Sequence, residues 1–396
     1  MFVYADNAAT TKMSAAAQKT MIEAMERVWG NPSSLHTTGQ EAKESLEGSR
    51  EAIAAMLGAD SAREIYFTSG GSEADNQAIR SAAFYGAKKG KKHIISTAFE
   101  HHAVLHTLKK LEKEGFEITL LDVHENGVVS AEQVKEAIRP DTALVTVMYA
   151  NNEIGTVQPV REIGAVCREA GVLFHTDAVQ AVCHIPVNVK DDNIDMLSLS
   201  AHKFHGPKGV GVLYAKRGTL LTNLIEGGAQ ERGKRAGTEN IPAILSMAEA
   251  MKEELANMDA AAAKIIPMRD KLIAGLSEIP HSRLNGDRDA CVPGTVNFCF
   301  EGIEGESLLL MLDEEGIQAS SGSACTSGSL DPSHVLLSLG LPHEVAHGSL
   351  RLSITEENTE EQIDHILKVV PAVVAYLRDI SPVWEALETG ERPHLL

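Results

Sequence analysis

The sequence predicts an α/β fold in which a mostly parallel sheet is flanked by helices. Three observations support it: short apolar runs typical of buried strands, amphipathic stretches typical of helices, and the alternation of the two from about residue 65 to 215. Alternation of this kind is typical of parallel sheets, because the connection between two parallel strands is usually a helix. We expect ligands to bind in the loops at the carboxyl ends of such strands.

The predicted strands are short and almost wholly apolar, as expected for strands that are buried on both faces. The seven runs are EIYFTS (64–69), KHIIST (92–97), EITLLDV (117–123), ALVTVMYA (143–150), VLFHTD (172–177), DMLSLS (195–200) and GVGVLYA (209–215). Helical patterns lie between them. One of these is 130–139, where Ser130 and Gln133 have the spacing of a capping box.

The regular alternation of strands and helices ends after a long amphipathic helix that we predict from about 240 to 278. The later segments predict a smaller α+β domain, and they are GTVNFCFEG (294–302), GESLLLMLDEEG (305–316), IQASS (317–321), SLRLSI (349–354) and TEEQIDHILKVVPAVVAYLRD (359–379). We therefore predict a large domain of residues 14–258. Residues 1–13 and 259–396 form the predicted small domain.

Composition excludes several classes of function. The formal net charge of -19 disfavours direct binding to nucleic acid or to an anionic membrane surface, because phosphate groups would be repelled. No apolar segment approaches the roughly 20 residues that span a bilayer. The N-terminus, MFVYADNAATT, lacks the basic and apolar regions of a secretory signal.

The cysteines indicate a reducing compartment. There are five, an odd number without a C-x-x-C pair, at Cys167, Cys183, Cys291, Cys299 and Cys325. This pattern is typical of reduced thiols in the cytoplasm and not of a disulfide framework or a zinc site. We therefore predict a cytoplasmic protein without a structural metal.

Glycines follow the first predicted strand of the sheet. FTSGGSEADNQAI passes through Gly70 and Gly71 into a helix that we expect to begin near Ser72. A helix N-terminus offers unpaired N–H groups and a partial positive charge, so it can hold a phosphate. The alternative is a tight strand–helix turn that binds nothing.

Two charged residues end later strands. Asp177 follows an apolar strand, where a carboxylate is costly unless it meets a cation or several donors; alternatively it caps a helix. Lys203 follows the strand 195–200 and is either a surface lysine or a lysine of depressed pKa that forms a Schiff base. An anion site, a carboxylate and a lysine at one sheet edge are together what pyridoxal 5'-phosphate requires.

Ordered motifs along the whole chain carry a family resemblance. They are YADNAATT (4–11), GNPSSLH (30–36), FTSGGSEADN (67–76), EHHAV (100–104), ANNEIGTVQP (150–159), HTDAVQ (175–180), SAHKFHGPKGVG (200–211), RAGTEN (235–240) and SSGSACTSG (320–328). The chain resembles the cysteine desulfurases of the nitrogen-fixation and iron–sulfur-assembly type, in the class-V aminotransferase family. The resemblance implies PLP fold type I and conversion of L-cysteine to L-alanine.

The resemblance also implies residue roles. Lys203 would hold the cofactor aldehyde, Asp177 would pair with the ring nitrogen, and His101 would stack on the ring and move protons. The remaining cofactor contacts would be Asn152 and Gln180 on the ring oxygen, Gly71, Ser72, Ser200 and His202 around the phosphate, and Thr238 from the partner of a homodimer. Asn7, Asn152 and Arg351 would bind the substrate.

Cys325 lies in the polar segment SSGSACTSGS (320–329), which resembles the long cysteine loop of one branch of the family. The resemblance implies that Cys325 takes the substrate sulfur as a persulfide and passes it to a scaffold or carrier protein. Such a loop can move the sulfur outward. We expect Asp331 to cap the helix that follows, with Pro332 at its first position.

Other interpretations of the sequence stay open. The chain could be a selenocysteine or cysteine-sulfinate lyase, in which Cys325 is not needed, or a non-catalytic scaffold for sulfur transfer. Cys183 stands where relatives usually carry a small residue. It either fills space in the core or takes part in sulfur handling.

Overall fold

A seven-stranded sheet forms the centre of the computed structural model, which describes residues 1–321 and 331–396. Its strands are β2 (Ile65–Thr68), β3 (His93–Thr97), β4 (Glu117–Leu121), β5 (Thr142–Thr146), β6 (Leu173–Asp177), β7 (Met196–Ser200) and β8 (Gly211–Ala215). The short strands outside this sheet are β1 (Val3–Tyr4), β9 (Ser282–Leu284), β10 (Thr295–Phe300), β11 (Ile317–Gln318) and β12 (Ser349–Ser353).

The strand order of the central sheet is β2-β8-β7-β6-β5-β3-β4. The pairs from β7 to β4 are parallel, and only β8 runs antiparallel to its two neighbours. The predicted α/β class and mostly parallel sheet are confirmed, and each of the seven predicted runs contains a strand. One expectation was wrong: β4 is not buried on both faces. It lies at the edge of the sheet opposite to β2, and only its last residue is buried.

Helices connect and cover the strands. They are α1 (Ala15–Arg27), α2 (Thr37–Leu57), α3 (Gly71–Ala87), α4 (His102–Lys113), α5 (Ala131–Ala137), α6 (Val160–Ala170), α7 (Gln230–Gly233), α8 (Ile241–Ser277), α9 (Gly305–Glu314), α10 (His334–Ser338), α11 (His343–His347), α12 (Glu360–Asp379) and α13 (Pro382–Glu388). The long helix predicted from 240 to 278 is α8. The capping box at Ser130 and Gln133 is present at the start of α5. In the described part of the chain, no helix combines the length and apolarity that crossing a bilayer requires.

Separate apolar clusters support the two parts of the chain. The largest surrounds the central sheet, and a second lies between the C-terminal half of α8, α12 and the sheet β12-β10-β9. The N-terminal strand β1 belongs to the second cluster, because Val3 pairs with Ile317 of β11 and is buried there. The exact division into two domains stays a prediction.

The polarity of the strands positions the site. β2, β5, β6 and β7 all point the same way, so their carboxyl ends lie at one edge of the sheet. At this edge Ser200 pairs with Gly211 of β8, which also pairs with Thr68 of β2. The turn at Gly70 packs so closely on Gly211 that a Cβ there would lie 2.4 Å from the Leu199 carbonyl oxygen and 2.7 Å from the Gly70 Cα.

The expected cap at Asp331 was wrong. The helix α10 begins at His334, and the hydroxyl of Ser333 caps it by accepting from the N–H groups of Val335 (3.1 Å) and Leu336 (3.3 Å). Both Asp331 and Ser333 have the chemistry of an N-cap, so residue type alone could not choose between them. Ser333 also donates to the buried carboxylate of Glu153.

A buried ion pair ties α2 to α7. The guanidinium of Arg50 donates to both carboxylate oxygens of Glu231, at 2.7 and 2.8 Å, and the N–H of Phe67 donates to the same carboxylate at 3.0 Å. Both charged side chains are only 2% exposed. Glu47, which is 45% exposed, also accepts from Arg50 Nε at 3.2 Å, so removing Glu231 leaves Arg50 with one partly solvated partner.

We expect Glu231→Gln to lower the free energy of unfolding by about 3 kcal/mol, because Gln keeps the shape but removes the buried charge that pairs with Arg50 and leaves only the partly exposed Glu47. Urea unfolding followed by circular dichroism measures it. Asp60→Asn is the matched control, since it breaks an exposed pair with Lys190 and should shift the midpoint little. Equal midpoints for the two variants would contradict the prediction.

Candidate active site

One cavity at the carboxyl edge of the sheet collects most of the residues that the sequence singled out. Its volume is about 260 Å³. The predicted residues that line it are Gly71, Ser72, His101, Asn152, Asp177, Gln180, Ser200, His202, Lys203 and Arg351. They come from segments far apart in sequence. Their convergence follows from the shared direction of the strands that precede them.

The N-terminus of α3 forms one end of this cavity. The helix begins at Gly71, one residue before the expected start, and Gly70 makes no side-chain cap. Within the described residues, no acceptor bonds the backbone N–H of Gly71 or of Ser72. Two free donors at the positive end of a 17-residue helix suit an anion such as a phosphate.

Polar side chains complete this end of the cavity. Ser200 and His202 lie beside the α3 N-terminus, and Lys208 lines the space that adjoins it. Nδ1 of His202 contacts the Thr10 hydroxyl at 3.1 Å. Burial lowers the pKa of His202 to about 4, and the neighbouring lysines act in the same direction. The ring is therefore neutral at physiological pH and contributes hydrogen bonds rather than charge.

Asp177 and Lys203 face the middle of the cavity. Asp177 is 5% exposed, and its Oδ1 accepts from the Val179 N–H at 3.0 Å, so the capping interaction considered above uses one oxygen only. Burial raises the pKa of Asp177 to about 6, although Lys203 acts in the opposite direction. A cation beside the carboxylate would therefore be stabilised strongly.

Lys203 lies in the 3-10 turn Ala201–Lys203, directly after β7. Its Nζ donates to the carbonyl oxygens of Ala8 (2.6 Å) and Ala9 (2.8 Å). These contacts hold the amine at the cavity wall. The alternative of a surface lysine does not fit this position.

His101 is the N-cap of α4. Its Nδ1 accepts from the Ala103 N–H at 3.1 Å, so Nε2 carries the proton of the neutral ring. Burial lowers the pKa of His101 to about 4, and Lys203 adds to this effect. The ring is therefore neutral, which suits stacking on an aromatic ligand.

Arg351 is buried at the opposite end of the cavity. It is 1% exposed and donates to the Asn152 carbonyl oxygen and to Asp6 Oδ1, both at 2.8 Å. Its Nε lacks a partner in the described part of the chain. Within the described residues, Nε is therefore a free donor for a substrate carboxylate, beside the bonds to Asn152 and Asp6. The sequence did not point to Asp6, although it lies in the motif YADNAATT.

Asn7 and Thr238 do not line this cavity. Asn7 lines an adjoining cavity and donates to the Ser353 carbonyl oxygen at 2.9 Å. Thr238 is exposed, so its predicted contact across a subunit boundary stays a prediction. Cys325 lies outside the described residues, as do the other residues from 322 to 330.

Gln180 donates to the Ala8 carbonyl oxygen at 2.9 Å, which leaves its side-chain oxygen for a ligand.

Cys183 lies beside the adjoining cavity and not in the main one. It is 5% exposed and has a left-handed backbone, with φ of 69°. Burial raises the pKa of the Cys183 thiol well above its ordinary value. Because the thiolate is the nucleophile, this environment favours packing over sulfur chemistry.

Two buried acids near the cavity were missed. Asp75 lines the cavity and has one carboxylate oxygen without a hydrogen-bond partner in the described part of the chain. Its position four residues after Gly71, on the same face of α3, could have identified it. Burial raises the pKa of Glu100 to about 8; this carboxyl accepts from Thr97 (2.8 Å) and from the Met148 N–H (2.9 Å).

The residues fit the cofactor that the sequence predicted. A phosphate would find the free N–H groups of α3, a protonated ring nitrogen would offset the buried charge of Asp177, and an aldehyde would find the amine of Lys203. Each requirement is met by a different polar group, and all of them face one cavity. The fit to pyridoxal phosphate therefore rests on the chemistry of the polar groups that line the cavity.

Comparison with known proteins agrees with this chemistry. Residues 3–366 match the family model described as Aminotransferase class-V. A cysteine desulfurase IscS of Clostridium botulinum (strain Hall) is 53% identical over 386 residues, covering 97% of each chain, and one of Methanosarcina thermophila is 50% identical over 381 residues, covering 96% of this chain and 94% of that one. A solved NifS-like protein, 37% identical, superposes with a TM-score of 0.89 over 95% of this chain and 100% of its own.

We expect Gly211→Ala to weaken binding of pyridoxal phosphate, because the new Cβ meets backbone atoms of Leu199 and Gly70 that cannot rotate away. Overpacking costs about 1–3 kcal/mol, so the dissociation constant should rise by about 5- to 150-fold if this cost falls on the cofactor-bound state. Absorbance titration of the cofactor-free protein measures it. Gly48→Ala is the control, since nothing lies within 4 Å of its Cβ position. Unchanged affinity in Gly211→Ala would refute the prediction.

Proposed function

The chain belongs to the class-V aminotransferase family, and we propose that it is a pyridoxal phosphate-dependent cysteine desulfurase acting on L-cysteine. Near-complete alignment at 50–53% identity with cysteine desulfurases is the observation that carries this proposal. The fold is PLP fold type I, with its mostly parallel sheet of seven strands. The cavity at the sheet edge supplies the polar groups that the reaction needs.

When bound, pyridoxal phosphate supplies an electron sink for the charge that develops on the substrate. Lys203 would bind the aldehyde, and Asp177 would keep the ring nitrogen protonated. The phosphate would lie at the N-terminus of α3, and its proposed contacts are Gly71, Ser72, Ser200 and His202. His101 would stack on the ring, and the amides of Asn152 and Gln180 would bond its oxygen.

Arg351 and Asn7 would hold the substrate carboxylate. Arg351 donates to the Asn152 carbonyl and to the carboxylate of Asp6. The substrate carboxylate would take the place of the Asp6 carboxylate on Arg351. This exchange costs less than burying an unpaired arginine before the substrate arrives. The selected substrate is therefore one with a free α-carboxylate.

Sulfur transfer would use Cys325. The carbon–sulfur bond of L-cysteine breaks, the freed sulfur bonds to the sulfur of Cys325, and the carbon skeleton leaves as L-alanine. One sulfur atom moves from substrate to enzyme, so no external oxidant or reductant is needed. The persulfide would then pass its outer sulfur to an acceptor, for iron–sulfur cluster assembly or for thiolation of a cofactor or transfer RNA.

His101 would handle a proton beside the reacting carbon and sulfur. Its ring is neutral, is anchored through Nδ1 and carries its proton on Nε2. Such a ring can donate a hydrogen bond from Nε2 while it lies flat against the cofactor. Its pKa is far enough below neutrality that it does not repel the substrate ammonium group.

The partners and compartment are part of the same proposal. A homodimer would bring Thr238 of one subunit to the phosphate of the other. Exposed apolar side chains at Trp29 (72%) and Leu35 (95%) are available for such a contact. The four described cysteines are free thiols, which supports a reducing, cytoplasmic location.

We expect Cys325→Ala to retain the cofactor absorbance but to stop releasing alanine from L-cysteine, because the sulfur acceptor is gone. Mass spectrometry of the wild-type protein after exposure to L-cysteine should locate the added sulfur on Cys325. Cys291→Ala is the control, since this partly buried cysteine lies outside the cavity. Full activity in Cys325→Ala would identify a lyase that needs no enzyme thiol.

We expect His101→Asn to lower kcat by roughly 100- to 10,000-fold, the usual contribution of a positioned acid–base group. Asparagine keeps an acceptor for the Ala103 N–H, so α4 should keep its cap. Steady-state alanine formation and the visible spectrum of the cofactor measure the two effects separately. A rate near that of the wild-type protein would exclude His101 from proton transfer.

A further inference from the structure

A second polar cluster lies outside the cofactor cavity. It consists of His205, Glu254 and Glu356, and one ligand atom of each lies within 4.8 Å of the others. The three come from separate segments: His205 follows the 3-10 turn that carries Lys203, Glu254 lies in α8, and Glu356 lies in the turn after β12. They line an adjoining cavity of about 50 Å³.

His205 presents a lone pair to this cavity. Its Nδ1 lies 2.8 Å from the carbonyl oxygen of Lys12, which can only accept, so Nδ1 donates. Nε2 is then the ring nitrogen left to bind a ligand, and it lies 4.0 Å from Glu356 Oε1. The residue is 4% exposed. A buried imidazole whose other nitrogen is fixed by a carbonyl is the usual arrangement of a histidine that binds a metal.

The opposing groups are acceptors as well. Glu254 and Glu356 each offer a carboxylate oxygen, and no hydrogen bond links either carboxylate to His205 in the described part of the chain. Burial raises the pKa of Glu254 to about 7; His205 acts in the opposite direction, and Glu356 and Glu253 add to the rise. A cation placed among the three groups would be stabilised by the two carboxylates.

We propose that His205, Glu254 and Glu356 bind a divalent transition-metal cation such as Mn²⁺ or Zn²⁺. One neutral imidazole and two carboxylates balance the two charges of the ion. Ligands that each lie about 2.1 Å from one ion are at most about 4.2 Å apart. The 4.0 Å between His205 Nε2 and Glu356 Oε1 satisfies this, and the other ligand atoms, which lie within 4.8 Å of one another, reach it with a small inward movement of the carboxylates. The cavity leaves room for water to complete the coordination.

The site would join the two parts of the chain. His205 and Glu254 contact the region around the central sheet, whereas Glu356 belongs to the turn that extends β12 of the second apolar cluster. Lys264 of α8 donates to the backbone carbonyl of Glu356 and so braces this turn. A bound ion would therefore stabilise the junction behind the cofactor cavity. It would not take part in the sulfur chemistry.

Mn²⁺ is the probe for the test, because thiols bind it weakly compared with zinc. The cofactor-loaded protein, freed of metal by a chelator, is titrated with Mn²⁺, and loss of the free-ion electron paramagnetic resonance signal reports binding. We expect one saturable site per chain and competition by Zn²⁺. Glu254→Gln and Glu356→Gln should each raise the dissociation constant by at least about 10-fold.

Two further variants keep the test independent of folding. His205→Asn suits the left-handed backbone of residue 205 (φ of 59°) and removes the Nε2 ligand, so it too should weaken binding. Glu357→Gln removes the same charge from the exposed neighbouring residue and should leave binding unchanged. Circular dichroism and the cofactor spectrum verify that each variant is folded. Absence of saturable binding in the wild-type protein, or equal affinity in Glu254→Gln and Glu357→Gln, would overturn the proposal.

Discussion

A buried carboxylate at the end of β6 is the constraint on which the site depends. Asp177 is 5% exposed and has a single backbone donor on Oδ1, so its charge is costly unless a cation lies close to it. Lys203 reduces this cost from the next strand but is held by the carbonyls of Ala8 and Ala9. The protein therefore keeps a negative site that a protonated ring nitrogen can stabilise. A ligand that places a positive charge beside Asp177 binds more tightly, because it offsets the cost of burying this carboxylate.

The sheet makes this arrangement possible. Strands that share a direction deliver their last residues to one edge, and α3, which starts directly after β2, delivers its free N–H groups to the same edge. The anion site follows β2 and the acid ends β6, with β8 and β7 between them in the sheet, and both line one cavity. A ligand with a phosphate at one end and a basic nitrogen at the other can meet both groups.

Much of this could be predicted from the sequence, because the information is local. Apolar runs predicted all seven strands of the sheet, and a charged residue directly after such a run located Asp177 and Lys203. Contacts between distant segments could not be predicted in this way. No pattern near Arg351 shows that Asp6 pairs with it, and nothing within the strand 117–121 shows that it lies at the edge. The prediction for the cap of α10 was wrong for a related reason. Ser333 caps the helix and also contacts Glu153, and residue type alone does not show that contact.

The two ends of the cavity rest on different apolar clusters. The cofactor end is built on the central sheet, whereas Arg351 lies on β12, which packs in the second cluster with β1. Asp6 lies just beyond β1, so the arginine and its carboxylate partner belong to the same part of the chain. The same N-terminal segment continues to Ala8 and Ala9, whose carbonyl oxygens accept from Lys203 Nζ. The space for the substrate carboxylate and the position of the lysine are thus linked through one short segment, so a displacement of that segment would act on both.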